Sequence, residues 1–298
     1  MKRSALVVIV TVAILTIVAA STQQSTPAAP AGGGQANAGQ ANTAQSAAPP
    51  QGKRPPQAKT QPEFDAYKAA MANNNEGAAM EKSADDFAAK YPDSEVRILL
   101  YEAAMRAYQS ANNAEKMMDM GRKVLKLDAD NPEALVGVAQ VLAERTRDTD
   151  LDKDQRYDEA LKLARHALET VDTDLAIPAG TPQDKIDAYK SFMRSNANYV
   201  IGTVLYNQDK FADAEAAFHK AIDAYPSQPD PLVVLRLALA LDKQDKYSDA
   251  LKYADQAVQM TQDSSQLGQM ARKERERLAA LTKSTVPPPA SNTSPQKN

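Results

Sequence analysis

Apolar residues between about residue 62 and residue 283 recur at intervals of three and four positions, with no alternating apolar-polar stretch of useful length. This spacing places the apolar side chains on one face of an α-helix. Helix-start signals agree, because Asn131-Pro132-Glu133 and Thr181-Pro182 with Asp184 each combine a capping residue, a first-turn proline and an early acid. The sequence therefore predicts a middle region built of helices.

One helical pattern recurs with small or apolar residues at relative positions 0, +3, +7 and +10. Its clearest copies are Tyr157, Ala160, Ala164, Ala167; Phe211, Ala214, Phe218, Ala221; and Tyr247, Ala250, Ala254, Ala257. Weaker copies begin at Ala114 and Gly77, and each copy follows another helix with an apolar stripe. Because one such pair cannot cover its own apolar face, neighbouring pairs must stack. We expect five helix pairs.

Residues 195–228 resemble one unit of the tetratricopeptide repeat (TPR) family. The matching positions of this 34-residue unit are Gly202, Leu205, Phe211, Ala214, Phe218, Ala221 and Pro226. Similar units are 132–170 and 231–264, and weaker ones are 98–131 and 61–94. In the last of these, Lys68 and Gly77 depart from the family pattern. The resemblance implies an all-α fold, a right-handed α-α superhelix or TPR solenoid, over residues 62–264.

The first twenty residues differ from the rest of the chain. Lys2 and Arg3 precede an apolar run over residues 5–20 that closes on small residues. This pattern predicts an export signal, or a membrane anchor if the segment is not cleaved, and the sequence leaves both open. In either case the basic residues stay in the cytoplasm. We expect an exported protein, periplasmic or anchored in the inner membrane, whose TPR domain lies outside the cytoplasm.

Two further segments are too poor in apolar residues to build a core. Residues 21–61 are rich in Ala, Gln, Pro and Gly, and residues 284–298 are similarly polar and proline-rich. Such segments cannot offset the entropy lost on ordering, which predicts a disordered linker and a disordered C-terminal tail. Between the array and the tail, the apolar stripe in residues 265–283 predicts an amphipathic helix that caps the solenoid.

Composition and motifs exclude several function classes. The formal net charge is −3 and the 35 basic residues are interspersed with 38 acidic ones, so we expect no nucleic-acid partner. The chain has no cysteine, which excludes disulfides, thiolate metal sites and cysteine nucleophiles. It also has no phosphate-binding glycine loop after a strand and no nucleophile elbow. We therefore expect neither catalysis nor a cofactor.

The family resemblance implies where a partner would bind. In TPR proteins the first helices of successive units line a concave groove, and positions 2, 5, 9, 12 and 13 of each unit face it. The corresponding residues of two units here are Asn196, Tyr199, Thr203, Tyr206, Asn207, Leu232, Leu235, Leu239 and Asp242. Tyrosine and asparagine suit recognition of an extended peptide. We expect a protein or peptide partner in the groove of the last three units.

The helix over residues 232–241 is apolar nearly all round. Its apolar side chains, including Leu232 and Leu235, require cover from the array itself, from a partner, from the terminal helix or from a second copy. A structural homo-oligomer built through this helix is therefore one alternative function.

An acidic insertion interrupts the unit at 132–170. Its carboxylates have the spacing of a calcium loop: Asp148, Asp150, Asp152, Asp154 and Glu159. However, Lys153 occupies the position where such a loop needs glycine for its sharp turn. We expect a solvated surface loop between Leu142 and a second helix that opens at Tyr157. A calcium-responsive module at residues 148–159 remains the second alternative.

Overall fold

The computed structural model describes residues 52–72, 76–178 and 180–285. For residues 284 and 285 it describes the backbone only. These residues form eleven α-helices and contain no β-strand. The helices are α1 Gln61–Met71, α2 Gly77–Lys90, α3 Arg97–Ser110, α4 Ala114–Leu127, α5 Pro132–Arg145, α6 Lys153–Thr170, α7 Gln183–Asn207, α8 Phe211–Ala224, α9 Pro231–Asp242, α10 Tyr247–Gln259 and α11 Gln266–Thr285.

Consecutive helices pack on one another along the whole described chain. The helices α1 to α10 form five hairpins, and α11 packs on α10 and extends the series. Each hairpin buries its apolar stripe against its neighbours, as expected for units that cannot cover their own apolar faces. The prediction of an all-α solenoid is confirmed.

Three hairpin turns share one backbone conformation. Asn112, Asp209 and Asp245 have φ values of 55°, 59° and 60°, in the left-handed region that asparagine and aspartate tolerate better than most residues. In each turn, the N–H of the residue that follows donates to the carbonyl of the residue five positions before it. Lys210 N, for example, lies 2.9 Å from Leu205 O. These bonds satisfy carbonyls that the helix end would otherwise leave unpaired.

Small residues allow the two helices of a hairpin to approach closely. A side chain at Gly202 would place its Cβ 2.6 Å from the Phe218 ring, which is fully buried. Gly77, which departs from the family pattern, lies directly against the ring of Tyr108 on the neighbouring hairpin. Its departure therefore has a packing reason, because any larger residue would displace that ring.

The long helix α7 packs on the preceding hairpin through its N-terminal half. Met193 and Ala197 belong to a buried cluster with Leu135 and Val171 of that hairpin. Arg194 Nη2 also lies 2.6 Å from both carboxylate oxygens of Asp172. The extra turns of α7 thus join two hairpins side by side.

Helix α1, the first of the array, begins at Gln61, one residue before the expected start of the array. The signal or anchor segment 1–20, residues 21–51 of the expected linker, and residues 286–298 of the expected tail lie outside the described residues. Residues 52–60, expected within the linker, instead contact the array, and Lys53 N donates to Leu175 O at 3.1 Å. The segment is held by hydrogen bonds and ion pairs, and by Ala58, which packs against the buried cluster of α2 to α5. Within the described ranges, no helix is both long and apolar enough to cross a bilayer.

Candidate partner-binding face

Four of the five first helices of the hairpins, namely α3, α5, α7 and α9, form the surface that is here called the first-helix face. Most of its central residues on α7 are committed to contacts within the array. Tyr199 is 5% exposed and its hydroxyl donates to Glu144 Oε1 of α5 at 3.1 Å. Thr203 is 1% exposed, and Asn207 Nδ2 donates to Ala143 O at 3.3 Å. Tyr199 and Thr203 therefore lie in the packing between first helices and not on a free surface.

The apolar helix α9 packs between α8 and α10, and the terminal helix α11 adds cover on one side. Leu235 is 1% exposed and lies in a buried cluster with Ala257 of α10 and Leu267 and Ala271 of α11. Leu235 is therefore unavailable to a partner, because α10 and α11 enclose it. Cover by the array or by the terminal helix was among the alternatives that the sequence left open for this helix. At the end of α9, Asp242 pairs with Arg277 Nη2 of α11 at 2.5 Å.

Six of the nine predicted residues are partly exposed, and two of these, Asn207 and Asp242, are already bonded to Ala143 O and to Arg277, which leaves four on the first-helix face. These are Asn196 and Tyr206 on α7, and Leu232 and Leu239 on α9. The Tyr206 ring packs edge-on against Phe211, with ring centroids 5.3 Å apart, and burial raises the pKa of its hydroxyl. The available surface therefore lies along two neighbouring helices and combines an oriented aromatic ring, one amide and two leucines.

Arg236 is a residue of this face that the family positions do not include. It is partly exposed on α9, and no carboxylate among the described residues forms an ion pair with it. Burial raises the pKa of the Glu144 carboxyl, whereas hydrogen bonds from Gln140 and Tyr199 and the nearby charge of Arg236 oppose that rise. The sequence did contain a signal, because Arg236 is the one charged residue in residues 231–241.

A second polar cluster lies further towards α3. Arg106 Nη1 is 2.8 Å and 3.0 Å from the two carboxylate oxygens of Glu133, and Glu133 Oε2 also accepts from the Tyr189 hydroxyl at 3.1 Å. Glu102 lies beside this pair, 3.9 Å from Arg106 Nη1, and accepts a 2.8 Å hydrogen bond from Asn131 Nδ2. One guanidinium thus faces two carboxylates and connects α3, α5 and α7.

The electrostatics of this cluster follow from its burial. Burial and the neighbouring Glu133 charge raise the pKa of Glu102 to about 7, while Arg106 and Asn131 act in the opposite direction. The carboxylate of Glu133 raises the pKa of Arg106. Burial raises the pKa of Tyr189 well above its usual value. The cluster is therefore a cross-helix contact whose net charge depends on the protonation of Glu102.

The acidic insertion does not assemble a calcium site in the structure. Helix α6 begins at Lys153, four residues before the predicted start, and separates the carboxylates. Asp152 pairs with Arg156 at 2.8 Å and Glu159 with Arg122 at 2.9 Å, while Asp150 accepts from the Arg147 N–H at 2.9 Å. In the described part of the chain, no group of three or more His, Cys, Asp or Glu side chains is arranged to hold a metal ion. The carboxylates of this segment instead form bonds near the start of α6 and an ion pair between α6 and α4.

Comparisons with known proteins give structural likeness only. No protein-family model matches the chain, and no curated protein matches it. Among solved structures it is similar to a thermophilic TPR protein of Thermus thermophilus, with 12% sequence identity and a TM-score of 0.44, covering 74% of this chain and 99% of that one. It is also similar to the assembly chaperone of RpL4, Acl4 (residues 1–338), with 12% identity and a TM-score of 0.40, covering 74% and 97% of the two chains. The architecture described above rests on the chain's own repeats and packing.

Proposed function

We propose that this protein is a non-catalytic interaction scaffold that binds an extended segment of a partner protein along the first-helix face, between α7 and α9. The observation that carries the proposal is the partly exposed set on these two adjacent helices, in which Arg236 stands without an ion-pair partner among the described residues. A guanidinium held at an apolar surface can pair with a carboxylate or backbone carbonyl of a bound segment.

The surroundings of Arg236 support an anchoring role. Its charge lies close enough to the Tyr206 hydroxyl to lower the pKa of that group against the effect of burial. Leu232 and Leu239 lie on the same helix and supply apolar area on either side of the charge. An aromatic ring and an arginine surrounded by leucines form the type of surface in which a few residues carry most of the binding energy.

The cellular setting is part of the proposal. The apolar segment 5–20, preceded by Lys2 and Arg3, supports export, and we place the array in the cell envelope outside the cytoplasm. Protease added to spheroplasts should digest the array while leaving cytoplasmic proteins intact. An array that resists protease until the inner membrane is lysed would contradict this location.

Site-specific photo-cross-linking tests the binding face directly. A photo-reactive residue at Tyr206 or Leu239 should give a discrete partner adduct, whereas the same residue at exposed Lys220 or Asp223 of α8 should not. Equal adducts from both faces would refute the assignment. An adduct with twice the mass of the chain would instead favour the homo-oligomer.

The charge of Arg236 provides a matched comparison. Arg236→Gln should reduce the adduct yield from Tyr206 at least fivefold, because the variant keeps most of the side-chain volume but loses the charge. Lys220→Gln removes one positive charge from an exposed position of α8, away from this face, and should leave the yield unchanged. Equal yields from the two variants would show that Arg236 does not anchor the partner. The binding face itself is tested separately, by the comparison of cross-linking positions.

A further inference from the structure

Residues 52–60, here called the strap, run across three of the connections that join successive hairpins. At its start, Lys53 N donates to Leu175 O at 3.1 Å. The Lys53 side chain reaches Asp128 Oδ1 at 2.7 Å and Asp174 Oδ1 at 3.8 Å. The strap thus contacts both the α4–α5 and the α6–α7 connections before it reaches α1.

The rest of the strap contacts the α2–α3 connection. Arg54 Nη2 lies 2.8 Å and 3.0 Å from the two carboxylate oxygens of Glu95, and the same carboxylate accepts from Gln57 N at 3.2 Å. Lys59 Nζ donates to Asp93 O at 2.9 Å. Basic side chains and backbone N–H groups of the strap therefore meet acidic side chains and backbone carbonyls of the array, an arrangement typical of an extended peptide in its binding site.

Gly52 shows that this contact is sterically specific at one end. Its φ of 150° lies in a region that other residues rarely adopt, and an added Cβ would be 2.7 Å from Leu175 O and 3.1 Å from Ile177 Cδ1. Only glycine allows the backbone to approach the α6–α7 connection so closely. Pro55 and Pro56, which follow the first basic pair, favour an extended backbone and reduce the entropy lost when the strap is bound.

The attachment is nevertheless exposed. The side chains of Lys53 and Arg54 are 42% and 60% exposed, and no strap residue from 52 to 60 is classed as buried. Exposed ion pairs such as Arg54–Glu95 contribute little each and weaken with salt, whereas the Asp128 partner of Lys53 is 11% exposed. Ala58 packs against the buried cluster of α2 to α5, but it is small and only partly buried, so the strap can leave its site with little loss of apolar contact.

We propose that the acidic edge formed by Glu95, Asp128 and Asp174 is a binding site for extended, basic, proline-containing segments, and that the strap is the ligand that occupies it in cis. A basic segment of a partner protein would bind by displacing the strap. This site is separate from the first-helix face, and its test does not depend on the function proposed for that face.

Peptide binding to the full chain tests the proposal. The probe is a fluorescent peptide with the sequence of residues 52–62, GKRPPQAKTQP, and the open form is the full chain carrying Lys53→Gln, Arg54→Gln and Lys59→Gln. In the unmodified chain the covalently attached strap competes at an effective concentration on the order of millimolar. The peptide should therefore bind the open form at least tenfold more tightly at low salt. Equal affinity for the two chains would overturn the proposal.

A control must distinguish binding at the acidic edge from a general effect of net charge on peptide affinity. A chain with Lys82→Gln, Lys220→Gln and Lys252→Gln loses the same charge at exposed positions away from the strap and should bind the peptide no better than the unmodified chain. Adding Glu95→Gln and Asp128→Asn to the open form should weaken binding at least tenfold. Binding that persists after these two changes would show that the acidic edge is not the site.

A steric variant tests occupation in cis without changing any charge. Gly52→Ala should release the start of the strap, because its methyl group collides with Leu175 O. The amides of Lys53 and Gln57, which donate to Leu175 O and to Glu95, should then exchange with solvent at least tenfold faster, while helical circular dichroism stays unchanged. Unchanged exchange at both amides would refute the strap as a bound ligand.

Discussion

Replacing Glu102 by Gln should remove a pH-dependent cost from the folded chain. Glu102 is buried on the first-helix face, where burial and the charge of Glu133 raise its pKa from 4.5 to about 7. Glutamine keeps the side-chain length and an oxygen that can accept the hydrogen bond from Asn131 Nδ2, but it does not ionise. The substitution therefore tests the charge while preserving the packing.

The sign follows from the order in which the two states lose their proton. Between pH 4.5 and pH 7 the unfolded chain has already lost the Glu102 proton while the folded chain still binds it, so the stability of the unmodified protein falls as pH rises through this window. Each pKa unit is worth about 1.4 kcal/mol, so the difference from 4.5 to about 7 gives a change of at most about 3 kcal/mol. Glu102→Gln lacks this loss, and its stability relative to the unmodified chain should rise by up to that amount.

Hydrogen exchange in α3 and α5 is the appropriate assay, because repeat arrays open in segments and a single global unfolding energy is poorly defined. The opening free energy of buried amides should be measured for both chains at several pH values from 4.5 to 8. A difference between the chains that does not change with pH, or that shrinks as pH rises, would refute the reasoning.

Glu81 supplies a control of opposite sign. Although burial acts to raise its pKa, hydrogen bonds from Tyr108 and Lys116 and the charges of Lys116 and Lys123 lower it overall. The stabilising contribution of Glu81 is present above the unfolded pKa and is lost as pH falls through the folded one. Glu81→Gln should therefore be most destabilising near neutral pH and least so in acid.

Further substitutions test the packing and the turns. Gly202→Ala should destabilise α7 and α8 by about 1–3 kcal/mol, because its Cβ would lie 2.6 Å from the Phe218 ring. Hydrogen exchange of the buried amides of α7 and α8 measures this, and unchanged opening free energies would contradict the close approach. Asp209→Ala should cost about 1 kcal/mol at its left-handed φ of 59°, and Asp209→Gly should not, so equal losses in the hydrogen-exchange opening free energy of α7 and α8 would exclude a backbone cause. Tyr199→Phe should cost about 1–2 kcal/mol by hydrogen exchange in α7, because the Glu144 carboxyl loses a hydrogen bond in a buried setting.

The sequence predicted the helices because each helix is determined mostly by local signals. The spacing of Ala250, Ala254 and Ala257 defined one buried stripe, and Asn131-Pro132 marked a helix start that the structure also shows. The insertion was predicted less well, because the helix begins at Lys153 and not at Tyr157. Residues 153–156 are polar, so no apolar stripe marks the first turn of α6.

The exposure of the residues at the family's groove positions could be predicted only in part. Family positions selected Asn196, Tyr206, Leu232 and Leu239, which are partly exposed, together with Leu235, which is buried. Those positions indicate the direction of a side chain from its own helix. They do not indicate how near the next helix lies, or whether a terminal helix covers it.

The sequence by itself determined a chain of apolar-striped helix pairs that must stack, since the spacing of apolar residues and the hairpin turns are properties of neighbouring residues. Only the tertiary structure decided which side chains face solvent, that Tyr199 bonds to Glu144, and that Lys53 meets Asp128. Those contacts join residues far apart in sequence. Their formation depends on the distances between packed helices, which no local pattern specifies.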